Sequence, residues 1–145
     1  MSVDPYATAL KAIKTAVYDI VNGTTSFNGK TSIDKITRNN DYLNALISLR
    51  SDSFEAIGPK ETRHSTIFLI EIEYIADEKS ASQDDMIDYV GEIVDAIESS
   101  SGRQLGTTYI ERTEVQNVDY TRNASESIII QYAGIPIMVE SIRNM

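Results

Sequence analysis

Apolar residues recur at helical spacing in two stretches of the chain. Tyr6, Leu10, Ile13, Val17, Ile20 and Val21 form one stripe, with Lys11, Lys14 and Asp19 off it, which predicts an amphipathic helix. Asp4-Pro5 supplies an N-cap carboxylate and a proline at the first helical position, and Gly23 is placed to close the helix as a left-handed cap. Met86, Ile87, Val90, Ile93, Val94 and Ile97 make the second stripe, opposite Asp88, Glu92 and Asp95. Ser82 caps this helix, Asp85 completes a capping box, and Ser99-Ser100-Ser101-Gly102 stops it.

Elsewhere the period is that of strands. Ser65 to Ile75 is the strongest, with Ile67, Leu69, Ile70, Ile72 and Tyr74 apolar and Glu71 and Glu73 marking one face as wet. A short strand, Phe54 to Ile57, precedes it across the turn Gly58-Pro59-Lys60-Glu61. Tyr109 to Tyr120 is long enough to bend or bulge near Asn117. Ser127 to Tyr132 and Ile135 to Ile142 follow, separated by Gly134 as a bulge or turn. Pro136 places the last segment at an edge, or where no ladder N–H is needed.

From Thr24 to Asn40 the chain turns to Thr, Ser, Asn, Gly and Lys, with Phe27, Ile33 and Ile36 as its only large apolar residues. This reads as an extended arm or exposed loop. Tyr42, Leu43, Leu46, Ile47 and Leu49 suit either a short helix or an irregular segment. The expected fold is therefore α+β: a mainly antiparallel sheet with two amphipathic helices on one face, plus an extended arm. Residues 1–145 are expected to form a single domain, with 24–49 as an arm or loop insertion.

Composition fits a globular chain: of 145 residues, 41% are hydrophobic and 24% charged. No cysteine is present, which excludes disulfide and thiolate chemistry and fits a reducing cytosol. The N-terminal MSVDPYATAL has neither the basic region nor the apolar core of a signal peptide, and no apolar run is long enough to span a membrane. Twenty-two acidic against 13 basic residues give a net charge of −9, which argues against a protein that grips nucleic acid.

Candidate chemistry is sparse. His64 is the single histidine and lies in a charged turn, with no nucleophile-elbow pattern at any serine. Gly58-Pro59-Lys60-Glu61-Thr62 lacks Walker spacing and leads into a strand. Asp84-Asp85 is explained by a helix start. Neither a catalytic residue, a metal site nor a cofactor is expected. Of the eight tyrosines, Tyr74, Tyr89, Tyr109, Tyr120 and Tyr132 fall at the edges of strands or helices, where a buried ring and a wet hydroxyl suit an interface. Glu71, Glu73, Tyr74, Tyr120 and Tyr132 are the candidate subunit-interface residues.

Phe54-Glu55-Ala56-Ile57, then His64 to Tyr74 with Ile75-Ala76-Asp77-Glu78, resembles the tail terminator (tail-completion) proteins of long-tailed bacteriophages. So do the helix from Asp85 to Glu98, Thr113-Glu114-Val115 with Val118-Asp119-Tyr120, and Ile128-Ile129-Ile130-Gln131-Tyr132. The resemblance covers roughly residues 1–22 and 50–145. It implies a non-enzymatic virion protein of the tail or neck, assembled in the host cytoplasm. Such a subunit forms a homohexameric ring, caps the tail tube protein, joins it to a head-completion (stopper) protein, and lets DNA pass without specific binding. Two other readings fit the residues: another head–tail connector or neck subunit, and a small-molecule-binding regulatory α/β domain.

Overall fold

The structure, a computed structural model, describes residues 6–34, 42–77, 83–100, 110–125 and 128–144. Among them are two helices, α1 (Tyr6–Asn22) and α2 (Gln83–Ser99). The strands are β1 (Thr31–Ile33), β2 (Leu43–Gly58), β3 (Glu61–Asp77), β4 (Ile110–Val115), β5 (Asp119–Ser125) and β6 (Ile128–Asn144). They form one sheet in the order β1-β2-β3-β6-β4, with β5 beside β4 along the same side of β6. All pairs are antiparallel except β1–β2. The fold class is α+β, as the sequence predicts.

Both helices lie on one face and share one core. Ile13, Val17 and Val21 of α1 and Met86, Val90, Ile93 and Ile97 of α2 close over Phe68, Ile70 and Ile72 of β3 and Ile135, Ile137 and Val139 of β6. The two-residue period of the strands puts these sheet residues on the same side, and their burial is what holds the helices down. Ile87, expected in the α2 stripe, is 49% exposed at its margin.

The segment after α1 departs from the expected arm. Phe27 is fully buried in the core, and Glu92 of α2 accepts hydrogen bonds from the Ser26 N–H (2.8 Å) and hydroxyl. β1 then pairs in parallel with Ala45–Ile47. One aromatic anchor and one carboxylate thus dock a polar stretch; residues 35–41 lie outside the described residues. Gly23 is not left-handed. The helix ends just before it at Asn22, the Gly23 N–H still reaching Asp19 O at 2.9 Å, and Thr24 caps Val21 O with its N–H and hydroxyl. The left-handed residues are Gly29 (φ 75°) and Asp34 (φ 67°). The predicted caps at Asp4-Pro5 and Ser82 lie outside the described residues.

Residues 43–49, read from sequence as a helix or an irregular segment, are the start of β2. Leu43, Ala45 and Ile47 face the helices while Asn44, Leu46 and Ser48 face away, and fourteen register positions tie β2 to β3. β6 is unbroken at Gly134, which pairs with Glu71. It is also interior, not an edge: β3 flanks one side and β4 with β5 the other. Pro136 is tolerated because its missing donor points to the β4–β5 side, where Gln116–Val118 interrupts the ladder. Its carbonyl on that side still accepts from Gln116 N at 2.9 Å. The expected break near Asn117 is therefore present.

Candidate functional site

Two regions gather groups that the core does not consume: the helix-free face of the sheet and a polar cluster at the β2–β3 hairpin end.

The helix-free face is built by alternation. β2 contributes Asn44, Leu46 and Ser48; β3 contributes Ile67, Leu69, Glu71, Glu73 and Ile75; β6 contributes Ile130, Tyr132, Pro136, Met138 and Glu140. Most of these are half-buried, although no helix covers them among the described residues. Charged pairs flank the apolar centre: Arg50 to Glu71 at 3.1 Å, Arg112 to Glu140 at 3.2 Å and to Glu114 at 3.4 Å.

The five expected interface residues divide between the faces. Glu71, Glu73 and Tyr132 are on the helix-free side, with Glu73 and Tyr132 directly paired across β3 and β6. Glu71 is exposed, whereas Glu73 is 7% exposed, between Asn44 and Tyr132, so this face is less wet than its two glutamates suggest. Tyr74 points to the helices, its ring 5.3 Å from that of Tyr89. Tyr120 is exposed, opposite buried Ala133, on the helical side. Burial, and then the neighbouring Tyr74, raises the Tyr89 hydroxyl above its ordinary pKa. β3 itself offers no edge, because β2 and β6 occupy both of its sides.

The polar cluster was not legible in the sequence. Asp52 of β2 accepts from Tyr6 OH (2.8 Å), Thr66 Oγ1 (2.9 Å) and His64 Nδ1 (3.1 Å). The ring of His64 is stacked on Tyr6 and meets Phe54 edge-on at 4.6 Å, and the Arg143 guanidinium lies 5.2 Å from the Tyr6 ring centre. Burial, then the bond to Asp52, raises the Tyr6 pKa. The contact to a carboxylate places a proton on His64 Nδ1. A cavity of about 20 Å³ next to it, lined among others by Leu10, Ser141 and Arg143, has room for one water. This geometry orients a histidine and pins α1 to the hairpin. Tyr6 and His64 are 46 and 12 positions from Asp52 in sequence; the β2–β3 register brings His64 to it, and the packing of α1 brings Tyr6. Among the described residues no group of His, Asp and Glu is placed to hold a metal ion, and no helix is long and apolar enough to cross a membrane.

No protein-family model matches the chain, and no curated protein matches its sequence. Solved structures do: 31 chains match. One of them belongs to a structure described as the virion of a native gene transfer agent particle. It is 15% identical, with a TM-score of 0.55 over 94% of this chain and 100% of that chain. At this identity the likeness is one of fold.

Proposed function

We propose that this chain is a structural protein of a phage-like virion, and specifically a ring-forming tail terminator that caps the tail tube and joins it to head-completion proteins. The observation that carries the reading is the end-to-end likeness of its fold to a chain from a gene transfer agent virion, which leaves none of that chain unmatched. The apolar helix-free face supports the same reading, since a ring subunit needs surface that only a neighbour covers. The whole chain acts in this reading as one ring-building domain, with Glu71 and Tyr132 on the side available to neighbours.

Native mass of the purified chain, by light scattering or native mass spectrometry, tests the proposal. A hexamer is expected, together with capping of isolated tail tubes in negative-stain images. A dodecamer would point to a connector on the portal side. A dimer would point to a regulatory binding module and overturn the ring.

A further inference from the structure

The cluster at the hairpin end leaves one of its own atoms unmatched. Asp52 holds Nδ1 of His64 at 3.1 Å, but Nε2, the other ring nitrogen, has no hydrogen-bond partner among the described residues. The side chain is 5% exposed, so Nε2 is cut off from bulk solvent. Arg143 Nε is a second buried nitrogen in the same position. Buried polar atoms of folded chains are matched either by protein or by an ordered water, and each orphan asks for an explanation.

Strand register sets both nitrogens beside one cavity. Ser141 stands directly opposite His64 in the β3–β6 ladder and Arg143 opposite Thr62, so His64, Ser141 and Arg143 all project from the face that α1 covers. Side chains stand roughly perpendicular to a sheet, which puts the Nε2 tip of the ring on the α1 side. The cavity of about 20 Å³ is walled by these three residues and, from α1, by Ala9, Leu10 and Ile13. That volume fits one water. Residues directly opposite one another have Cβ atoms about 4.5–5.5 Å apart, and a water joining two polar atoms spans about 5.5 Å between them, so one molecule reaches from His64 to Ser141.

We propose that this cavity is the binding site of a single structural water, bonded to His64 Nε2, Ser141 Oγ and Arg143 Nε. The water oxygen accepts from the Arg143 Nε–H, and one of its protons goes to Ser141 Oγ. With a neutral ring its second proton goes to the lone pair of Nε2; with an imidazolium, Nε2–H donates to the water instead. Either state is satisfied. Asp52 by itself joins α1, β2 and β3, and the water carries the chain of bonds on to β6. The site does not depend on how the chain assembles.

His64 is the single histidine, so its ring signals are unambiguous in a nitrogen NMR spectrum of the full chain. In the wild type, magnetisation transfer should show a long-lived water at the His64 ring, and a high-resolution crystal structure should show one ordered peak within hydrogen-bond distance of Nε2. Ser141→Val then separates a hydrated cavity from a dry one by sign. Valine suits a strand and its methyl groups fill a void, so in a dry cavity the variant is more stable than the wild type. In a hydrated cavity valine evicts the water and strands Nε2. The unfolding constant in urea should then rise about tenfold, and the Nε2 resonance should move. A wild type with no long-lived water at this ring overturns the site, whatever the variant does. So does a Ser141→Val chain that gains stability or keeps its Nε2 resonance.

Discussion

Replacing Asp52 by alanine tests whether the hairpin-end cluster stabilises the fold. Asp52 accepts from three donors, and their exposure separates them. Thr66 is 1% exposed and His64 4%, so their donors lose an acceptor where there is room for at most one water, while Tyr6 at 36% can turn to solvent. Each buried donor left unmatched costs about 1–3 kcal/mol. Deleting the carboxylate also removes its own desolvation cost, which offsets part of that sum. The expected loss is therefore about 3 kcal/mol. With a urea dependence of about 2 kcal/mol/M for a chain of this size, the unfolding midpoint falls by about 1.5 M. Tyr6→Phe should lose only about 0.5–1 kcal/mol in the same assay, because its partner keeps two donors. A loss below about 1 kcal/mol for Asp52→Ala would refute the reasoning and mark the cluster as incidental.

Phe27→Ala should cost about 3–5 kcal/mol, as deletion of a fully buried ring does, and Glu92→Ala should speed amide exchange in residues 24–34 without changing the sheet. Equal exchange in both proteins would show that Glu92 does not dock this segment. Glu71→Lys breaks an exposed pair with Arg50 and should shift monomer stability by less than about 1 kcal/mol, whereas Glu73→Lys, at a buried position, should cost several times more in thermal melts. The raised pKa values of Tyr6 and Tyr89 mean that the folded chain holds protons the unfolded chain releases. Their contribution is complete below the ordinary tyrosine value of 10.0 and is lost as pH rises through the folded values. Tyr89→Phe should accordingly flatten the alkaline limb of a stability–pH curve, and an unchanged limb would contradict this. Assembled rings should not retain duplex DNA at low salt, since each subunit carries −9; tight, salt-sensitive retention in a filter assay would count against an acidic path for DNA.

Local periodicity made much of the architecture legible. The α1 and α2 stripes, the strand around Ile67–Ile75 and the irregularity near Asn117 follow from side-chain spacing over a few residues, which a helix or strand reads directly. Periodicity failed where apolar residues satisfied two periods at once, as in Leu43–Leu49, whose strand state is set by pairing with β3. It failed again where one residue anchors a polar stretch, as Phe27 does. Pro136 left two readings open, an edge or a gap in the ladder; the partner strand decides, because its interruption at Gln116–Val118 removes the need for a donor. The face to which Glu73, Tyr74 and Tyr132 point was implicit in alternation, but which face the helices cover was not. That choice depends on where α1 and α2 pack. The Asp52–His64 contact depends on the register of β2 on β3, and Tyr6 joins it only when α1 packs on the sheet. Register is a property of the assembled sheet, in which distant residues meet only after every intervening strand has paired.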